Sequence, residues 1–323
     1  MNIFSRGDHN EEYIQGDILK NETLLILAFM ICSLGNTCFD SSEWTNYLGN
    51  PQRTAYSPCN GVDTPVELWT IDIPGDFGTP FIVGDTVSVL WNNTSMPMES
   101  EIFLIDVLTG EVLQESGQIG FPSGIFPVGD RIIGVYGENI YEIDPVQGKT
   151  SLLAVIPKKS HSYPVVLEDR IIFPTIPAVC LSSDFDVVWT LDTQNPDLNL
   201  LSLAADEYIA ALLMSENGIP HLFVVDSSTG VIKWVSDPLP AALWVALGKD
   251  ALYCGGDYVW AFDQSGLCTW EFVPRERIVS NMVLGPDALY CADGNNLYKV
   301  DTNGNLLWEA GTGWMLEDKV VEK

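Results

Sequence analysis

The stretch DALYCGGDYVWAFDQSG, residues 250–266, is followed 37 residues later by a near-copy, DALYCADGNNLYKVDTNG, residues 287–304. Both phrases continue into a tryptophan, at Trp270 and Trp308, 38 residues apart. Repetition at a period of some tens of residues indicates one supersecondary unit that is stacked or arranged in a ring. The decisive question is therefore how many copies the chain holds.

Further copies lie upstream and share an aspartate followed by a glycine turn: LIDVLTGEVL, EIDPVQGKTSLL and VVDSSTGVIKW. A divergent copy, CLSSDFDVVW, has Ser182 in the aspartate position and keeps Trp189. The aspartate positions are 106, 144, 182, 226, 263 and 301, with spacings of 38, 38, 44, 37 and 38 residues. The chain thus contains six copies of one repeat.

The pattern within each copy predicts β-strands. Short runs such as RIIGVYG, EYIAALLM and ALYCGG are rich in β-branched or aromatic residues and follow a turn containing Gly, Asp or Glu. Each of these runs is followed by a second run, by the aspartate turn and by a third run that ends near the tryptophan. Another apolar run precedes each of them. Four strands in about 38 residues are typical of a β-propeller blade, whereas a β-helix coil is shorter and a β-sandwich need not repeat its sequence. We therefore expect an all-β propeller of four-stranded antiparallel blades.

The recurring residues have mechanical roles in this prediction. The aspartate is expected to accept backbone N–H bonds of the turn, and the glycine to supply a positive φ. Each tryptophan offers a large apolar surface that is expected to dock neighbouring blades, with a ligand cage as the alternative.

The repeat resembles that of the pyrroloquinoline-quinone-like (PQQ-like) propellers, whose motif runs Leu-Tyr-Ala-Leu-Asp-x-x-Thr-Gly-x-x-x-Trp. The segment EWTNYLGNPQRTAYSPC, with Trp44, Gly49, Asn50, Arg53 and Thr54, is similar to the lead-in that precedes the first blade in that family, although Ala55 replaces the usual glycine. The resemblance covers about residues 44–315 and extends to the outer-membrane-assembly lipoproteins of the superfamily. It implies the fold but no particular activity.

The number of blades follows from the strand endings. Tryptophan or its equivalent occurs at 69, about 113, about 152, 189, 234, 270 and 308, but only six copies carry the preceding inner strands. We expect six full repeats closed by an N-terminal strand at PVELWTID; an incomplete seventh blade is the alternative. The expected organisation is a signal-like or anchor segment and linker at 1–40, a lead-in segment at 41–65, the propeller at 66–315 and a tail at 316–323.

The composition restricts the partners. The 323 residues carry 15 basic and 44 acidic side chains, a net charge of −29. Nucleic acids and anionic lipids require clustered Lys and Arg, so we expect no nucleic-acid partner. A protein or extracellular ligand is expected instead, and the protein is expected to be a monomer.

The run TLLILAFMICSL, residues 23–34, is too short to span a bilayer but matches the hydrophobic region of a secretory signal. It predicts an extracytoplasmic protein, with membrane contact only through a possible N-terminal anchor. The positive region before it is poor, holding only Arg6 and Lys20, so a misassigned start codon stays open. Lipidation at Cys38 stays open as well.

Neither the cysteines nor the histidines predict a reactive site. Cys254 and Cys291 occupy the same strand position in successive repeats and are expected to be small buried residues. Cys180 and Cys268 have no metal-binding spacing, and a bridge between Cys38 and Cys59 is open. The histidines, His9, His161 and His221, are scattered.

We accordingly assign no catalytic, cofactor-binding or metal-binding residue and expect no cofactor. Two functions remain. One is a non-catalytic scaffold that binds a protein or other ligand; this is favoured because acid/base, nucleophile and metal motifs are absent from the sequence. The alternative is an enzyme with a site in the central channel, either a degenerate quinoprotein dehydrogenase or a polysaccharide-acting propeller. The fold alone does not choose between them.

Overall fold

The computed structural model describes residues 46, 50–54, 69–71, 76–93, 99–120, 122–158, 163–191, 193, 195 and 198–311. The predicted signal-like segment, the possible Cys38–Cys59 bridge, His9, His161 and the tail at 316–323 lie outside these residues. No helix in the described part of the chain is long and apolar enough to cross a membrane.

The described residues form β-strands that are grouped into six consecutive antiparallel sheets, here called blades 1 to 6. The strands of blades 1 to 3 are β1 Asp76–Phe77, β2 Phe81–Val83, β3 Thr86–Asn93, β4 Glu99–Asp106 and β5 Val112–Glu115; β6 Gly124–Val128, β7 Arg131–Tyr136, β8 Asn139–Asp144 and β9 Lys149–Val155; β10 Val165–Val166, β11 Arg170–Phe173, β12 Val179–Ser182 and β13 Val187–Thr190. Those of blades 4 to 6 are β14 Leu198–Ala205, β15 Ile209–Glu216, β16 Ile219–Asp226 and β17 Ile232–Val235; β18 Trp244–Leu247, β19 Leu252–Gly255, β20 Val259–Phe262 and β21 Cys268–Phe272; β22 Val283–Leu284, β23 Ala288–Ala292, β24 Asn296–Asp301 and β25 Leu306–Gly311.

This arrangement confirms the predicted β-propeller with six full repeats. Each of blades 2 to 6 has four strands in sequence order. Blade 1 has five, because β1 and β2 both pair with β3 and together take the place of one inner strand.

The hydrophobic core lies between the blades. Alternate residues of a strand point to opposite faces of its sheet, so each blade contributes to two layers of core. In blade 5, for example, Leu252 and Cys254 pack towards blade 4, whereas Tyr253 and Ala261 pack towards blade 6. Cys254 and Cys291 are 0% and 1% exposed, which confirms that they act as small buried residues. Burial raises the pKa of both thiols, that of Cys291 to about 12.

The aspartate turns have the predicted geometry. Asp226 Oδ1 accepts the backbone N–H groups of Ser228 and Thr229, both at 3.1 Å, and Gly230 has φ +71°. In the divergent copy the hydroxyl of Ser182 accepts two backbone N–H groups at 3.2 Å, and Phe185 takes the left-handed conformation at φ +69°. The same geometry recurs at Asp106 and Gly110 and at Asp144 and Gly148. The turns of Asp263 and Gly266 and of Asp301 and Gly304 are one residue shorter, and their carboxylates accept the N–H groups two and four residues on.

The outer strand of every blade carries an irregularity that the sequence pattern did not predict. The register between the third and fourth strands shifts by one residue just before the tryptophan or its equivalent in five blades. In blade 2 it shifts after the equivalent residue, Ser151. Such a bulge redirects a side chain and increases the local twist. The residue two before the turn aspartate pairs with Gln114 in blade 1 and with Ser151 in blade 2, each within one residue of the approximate tryptophan equivalents predicted near 113 and 152.

The tryptophans dock successive blades, as predicted. Four of them donate the indole N–H to the carbonyl of the residue that follows the turn aspartate or its equivalent in the next blade, at N···O distances of 2.9–3.1 Å: Trp69 to Val107, Trp189 to Ser227, Trp234 to Gln264 and Trp270 to Thr302. Trp69 precedes blade 1 and therefore docks onto it as the outer strand of an earlier blade would. Trp308, in the last blade, has no such acceptor among the described residues.

Candidate functional site

The lead-in segment crosses the ends of the inner strands. The carbonyls of Pro51, Gln52 and Thr54 accept backbone N–H groups from blades 4, 5 and 6 respectively, at 3.0, 2.9 and 2.8 Å. The three donors are the last residues of their inner strands: Ala205, Leu247 and Leu284. The lead-in segment thus ties consecutive blades together at one end of the strands.

Two further side chains of the lead-in segment bind blade 3 and its approach. Asn46, 3% exposed, accepts the N–H of Val166 at 2.7 Å and donates to its carbonyl at 3.0 Å. Arg53, 4% exposed, donates from its guanidinium to the carbonyl of Tyr163 at 2.7 Å. A buried arginine needs such partners because the loss of hydration is costly.

The motif residues shape this crossing. Asn50 Oδ1 accepts the backbone N–H of Thr54 at 2.9 Å, and the Asn50 carbonyl accepts that of Arg53 at 3.0 Å. Arg53 itself adopts φ +57°. Asn50, Arg53 and Thr54 therefore hold the segment in a turn against the blades; Trp44, Gly49 and Ala55 lie outside the described residues.

A cavity of about 1050 Å³ opens beside this crossing. Its walls are the lead-in segment and the turns between the first and second strands of blades 1 to 4. Five carboxylates and one guanidinium line it, a net charge of −4. We call these carboxylates the acidic mouth: Asp130, Glu168, Asp169, Asp206 and Glu207.

Two of the five carboxylates are engaged within the fold. Asp169 receives two hydrogen bonds from Arg170, at 2.7 and 2.8 Å, which hold the pKa of the carboxyl below its usual value. Asp206 Oδ1 accepts the backbone N–H groups of Tyr208 and Ile209, both at 2.8 Å, and so stabilises its own turn.

The other three carboxylates are solvent-exposed: Asp130, Glu168 and Glu207. Tyr208 stands beside them on the turn of blade 4 with 73% of its surface exposed. An exposed tyrosine among unengaged carboxylates suits a protein contact, because tyrosine is enriched in interface cores and carboxylates attract cationic side chains.

The remaining candidate residues do not gather at this mouth. His221 lies on β16, where its Nδ1 is 3.1 Å from the carbonyl of Ser236. The described cysteines, Cys180, Cys254, Cys268 and Cys291, are all free thiols. Among the described residues, no three His, Cys, Asp or Glu side chains are grouped so that they could hold a metal ion.

Comparisons with known proteins bear on the fold. No protein family matches the sequence, and no curated protein matches it. Among solved structures, BamB from Moraxella catarrhalis is similar with a TM-score of 0.59 and 17% identity, over 77% of this chain and 80% of that one. A europium-containing methanol dehydrogenase is similar with a TM-score of 0.59 and 11% identity, over 84% of this chain and 78% of that one. The chain shares the β-propeller fold of these two structures.

A third solved structure is similar as well. Saccharomyces cerevisiae Sqt1 superimposes with a TM-score of 0.56 and 12% identity, over 75% of each chain. At these identities the three structures share the fold of this propeller, and a function has to be argued from its own residues.

The acidic mouth is the part of the site that sequence reasoning missed. The motifs VGD, LED and AAD predict only turns that precede a strand, and Glu207 belongs to the predicted strand EYIAALLM. Their common position in successive repeats was the available signal, since equivalent turns of neighbouring blades lie at the same end of the strands.

Proposed function

We propose that this protein is a non-catalytic, extracytoplasmic scaffold whose acidic mouth binds a basic segment of a partner protein. The observation that carries the proposal is the set of three exposed, unengaged carboxylates beside the exposed ring of Tyr208, around a cavity of about 1050 Å³. Cationic side chains complement such a surface, and the cavity is large enough to admit several of them.

The charge of the whole chain supports this choice of partner. A net charge of −29 attracts basic partners over a distance of about one Debye length, ~8 Å at physiological ionic strength. The lead-in segment binds the inner strands of blades 3 and 4, so the turns that carry Glu168 and Glu207 are presented on a rigid support. Binding should therefore require little ordering of the propeller, which favours affinity.

The experiment compares two triple charge reversals. The mouth variant carries Asp130→Lys, Glu168→Lys and Glu207→Lys, which leave the engaged Asp169 and Asp206 in place. The control variant carries Glu138→Lys, Glu216→Lys and Asp257→Lys, exposed residues at the opposite ends of the strands. Both change the net charge equally.

Each variant and the wild-type protein are used to capture partners from the native envelope fraction, with quantitative mass spectrometry at low and high salt. We expect a basic protein that is retained by the wild type and the control variant, is lost with the mouth variant, and weakens as salt rises. Equal capture by both variants would contradict the proposed mouth.

Export is a separate part of the proposal and rests on the apolar run at residues 23–34, outside the described residues. Fractionation of the full-length protein in its native cell should place it outside the cytoplasm, with a shortened N-terminus by mass spectrometry. Full-length protein that stays in the cytoplasm would contradict it.

A further inference from the structure

Two turns of the described blades contain an asparagine followed by a glycine: Asn217 with Gly218, and Asn303 with Gly304. Such an asparagine can lose its side-chain amide, because the backbone nitrogen of the glycine attacks the side-chain carbonyl carbon and no Cβ on the glycine hinders the approach. The two turns carry the same reactive pair, so the surrounding structure decides which of them reacts.

The first pair forms the tip of the hairpin between β15 and β16. The two strands pair as far as Glu216 and Ile219, which leaves only Asn217 and Gly218 in the turn. Their φ angles, +51° and +82°, are both positive, as a type I′ turn requires. Both residues are exposed, and no atom lies within 4 Å of a Cβ built at Gly218. The tip therefore projects from the blade without packing on it.

The reacting groups of this tip are unengaged. Within the part of the chain that the structure describes, neither the Gly218 N–H nor the Asn217 side chain has a hydrogen-bond partner. Closure of the ring between the glycine nitrogen and the side-chain carbon requires the peptide between the two residues to rotate. Neither a hydrogen bond nor a packed side chain opposes that rotation here.

The second pair is held in place. The Gly304 N–H donates to the carbonyl of Asp301 at 3.1 Å, and the Asn303 N–H donates to Asp301 Oδ1 at 2.9 Å. The ring of Trp270 covers the glycine, since a Cβ built at Gly304 would lie 2.9 Å from Cδ2 of that ring. The same peptide rotation would break both hydrogen bonds and move the glycine against the ring.

We propose that Asn217 is a site of spontaneous deamidation in the folded protein, whereas Asn303 is protected. The Gly218 nitrogen gives its proton to hydroxide and forms a bond with Cγ of Asn217, and the side-chain nitrogen leaves as ammonia. Water then opens the five-membered imide at one of its two carbonyl carbons, which yields aspartate or isoaspartate. The net reaction consumes one water and releases one ammonia, with no change of oxidation state.

The modification changes the hairpin and leaves the acidic mouth untouched. It adds a carboxylate beside Glu216, and isoaspartate also adds a methylene to the backbone of a two-residue turn. The ends of β15 and β16 should then open more often, which hydrogen exchange at Glu216 and Ile219 measures. The tip lies at the end of the strands opposite the acidic mouth, so capture of a partner there should be unaffected.

The test incubates the full chain at mildly alkaline pH, both folded and in urea. Peptide-resolved mass spectrometry follows each Asn-Gly pair, and chromatography separates the aspartate and isoaspartate products. The rate in urea is the reference for each site, since both asparagines precede a glycine. The ratio of the unfolded to the folded rate should be at least about tenfold larger for Asn303 than for Asn217, because the folded rate reports how often each turn opens. Equal ratios, or a larger ratio at Asn217, would overturn the proposal.

Two variants test the cause. Gly218→Ala places a Cβ beside the attacking nitrogen and should slow the reaction at Asn217 while leaving Asn303 unchanged. Asp301→Ala removes the carboxylate that binds the Asn303 N–H and should speed the reaction at Asn303 while leaving Asn217 unchanged. Circular dichroism checks that both variants are folded during the incubation. An unaltered rate at Asn217 in folded Gly218→Ala would overturn the assignment of Gly218 as the nucleophile.

Discussion

The indole ring of Trp189 lies directly against Gly230, across the boundary between blades 3 and 4. A Cβ atom built on Gly230 would be 2.8 Å from Cδ2 of the ring, closer than real Cβ contacts come. Gly230 also has φ +71°, and the indole N–H donates to the Ser227 carbonyl of the same turn at 2.9 Å. The glycine is therefore required both by its backbone conformation and by the ring that covers it.

We expect Gly230→Ala to destabilise the protein more than Gly218→Ala does. Both glycines are left-handed, at φ +71° and +82°, so both substitutions carry backbone strain of about 1–3 kcal/mol. Only Gly230 faces a ring, because no atom lies within 4 Å of a Cβ built at Gly218. Displacing the ring should add about 1–3 kcal/mol to the loss, measured by urea denaturation. Equal losses in the free energy of unfolding for the two variants would show that the Trp189 ring moves without an energetic cost.

The docking tryptophans should differ in their contribution to stability. Trp189 is 6% exposed and hydrogen-bonded to the next blade, so Trp189→Ala should lower the free energy of unfolding by about 3–5 kcal/mol. Trp308 is 40% exposed and has no acceptor among the described residues, so Trp308→Ala should cost less than half as much. Urea midpoints of the two variants check the order. A loss at Trp308 as large as that at Trp189 would contradict it.

The repeat explains how much of this fold the sequence could predict. The aspartate, glycine and tryptophan of each copy act locally or on the adjacent blade, so their spacing predicts both strands and docking. The bulge before Ala154 could not be predicted from the sequence, because the repeat that forms blade 2 has no tryptophan to mark the position. Trp270 and Trp308 occupy equivalent places in near-identical phrases, yet within the part of the chain that the structure describes only Trp270 docks on a following Asp-x-x-Gly turn.

The acidic mouth was harder to predict for a different reason. Its carboxylates come from turns 38 or 39 residues apart, at Asp130, Asp169 and Glu207, and each looks like an ordinary turn residue in its own copy. The arrangement of the blades brings them to one cavity. Local patterns carry no information about that convergence until the repeats are superimposed.

The aspartate turns should make the propeller sensitive to acid. The pKa of Asp226 is lowered from its ordinary value of 3.8 because the hydroxyl of Ser228, that of Thr229 and the ammonium group of Lys233 bind the ionised carboxylate. A carboxylate whose pKa is lower in the folded state stabilises the fold above about pH 4, and this stabilisation is lost as the pH falls through the folded-state pKa.

Asp226→Asn should therefore reduce the difference in the free energy of unfolding between pH 6 and pH 2.5. The matched control is Asp257→Asn, an exposed residue in the turn between β19 and β20 that should leave the difference unchanged. Urea denaturation at several pH values measures both. An unaltered pH dependence in Asp226→Asn would show that this carboxylate stabilises the folded and unfolded chains equally.

The last prediction concerns pyrroloquinoline quinone, the cofactor of the quinoprotein dehydrogenases that have a similar repeat. Calcium in a quinoprotein site is held by several carboxylate and amide oxygens, and no such group of metal-binding side chains forms among the described residues. We expect quinone with calcium neither to quench the tryptophan fluorescence nor to raise the melting temperature. A ligand that binds only the folded state stabilises it by RT ln(1 + [L]/Kd), about 2.7 kcal/mol at a hundredfold excess over Kd, so binding would be readily detected. A quinoprotein methanol dehydrogenase treated in the same way is the positive control. A saturable, calcium-dependent rise in melting temperature, together with dye-linked oxidation of an alcohol or sugar, would contradict the proposed scaffold and indicate an enzyme.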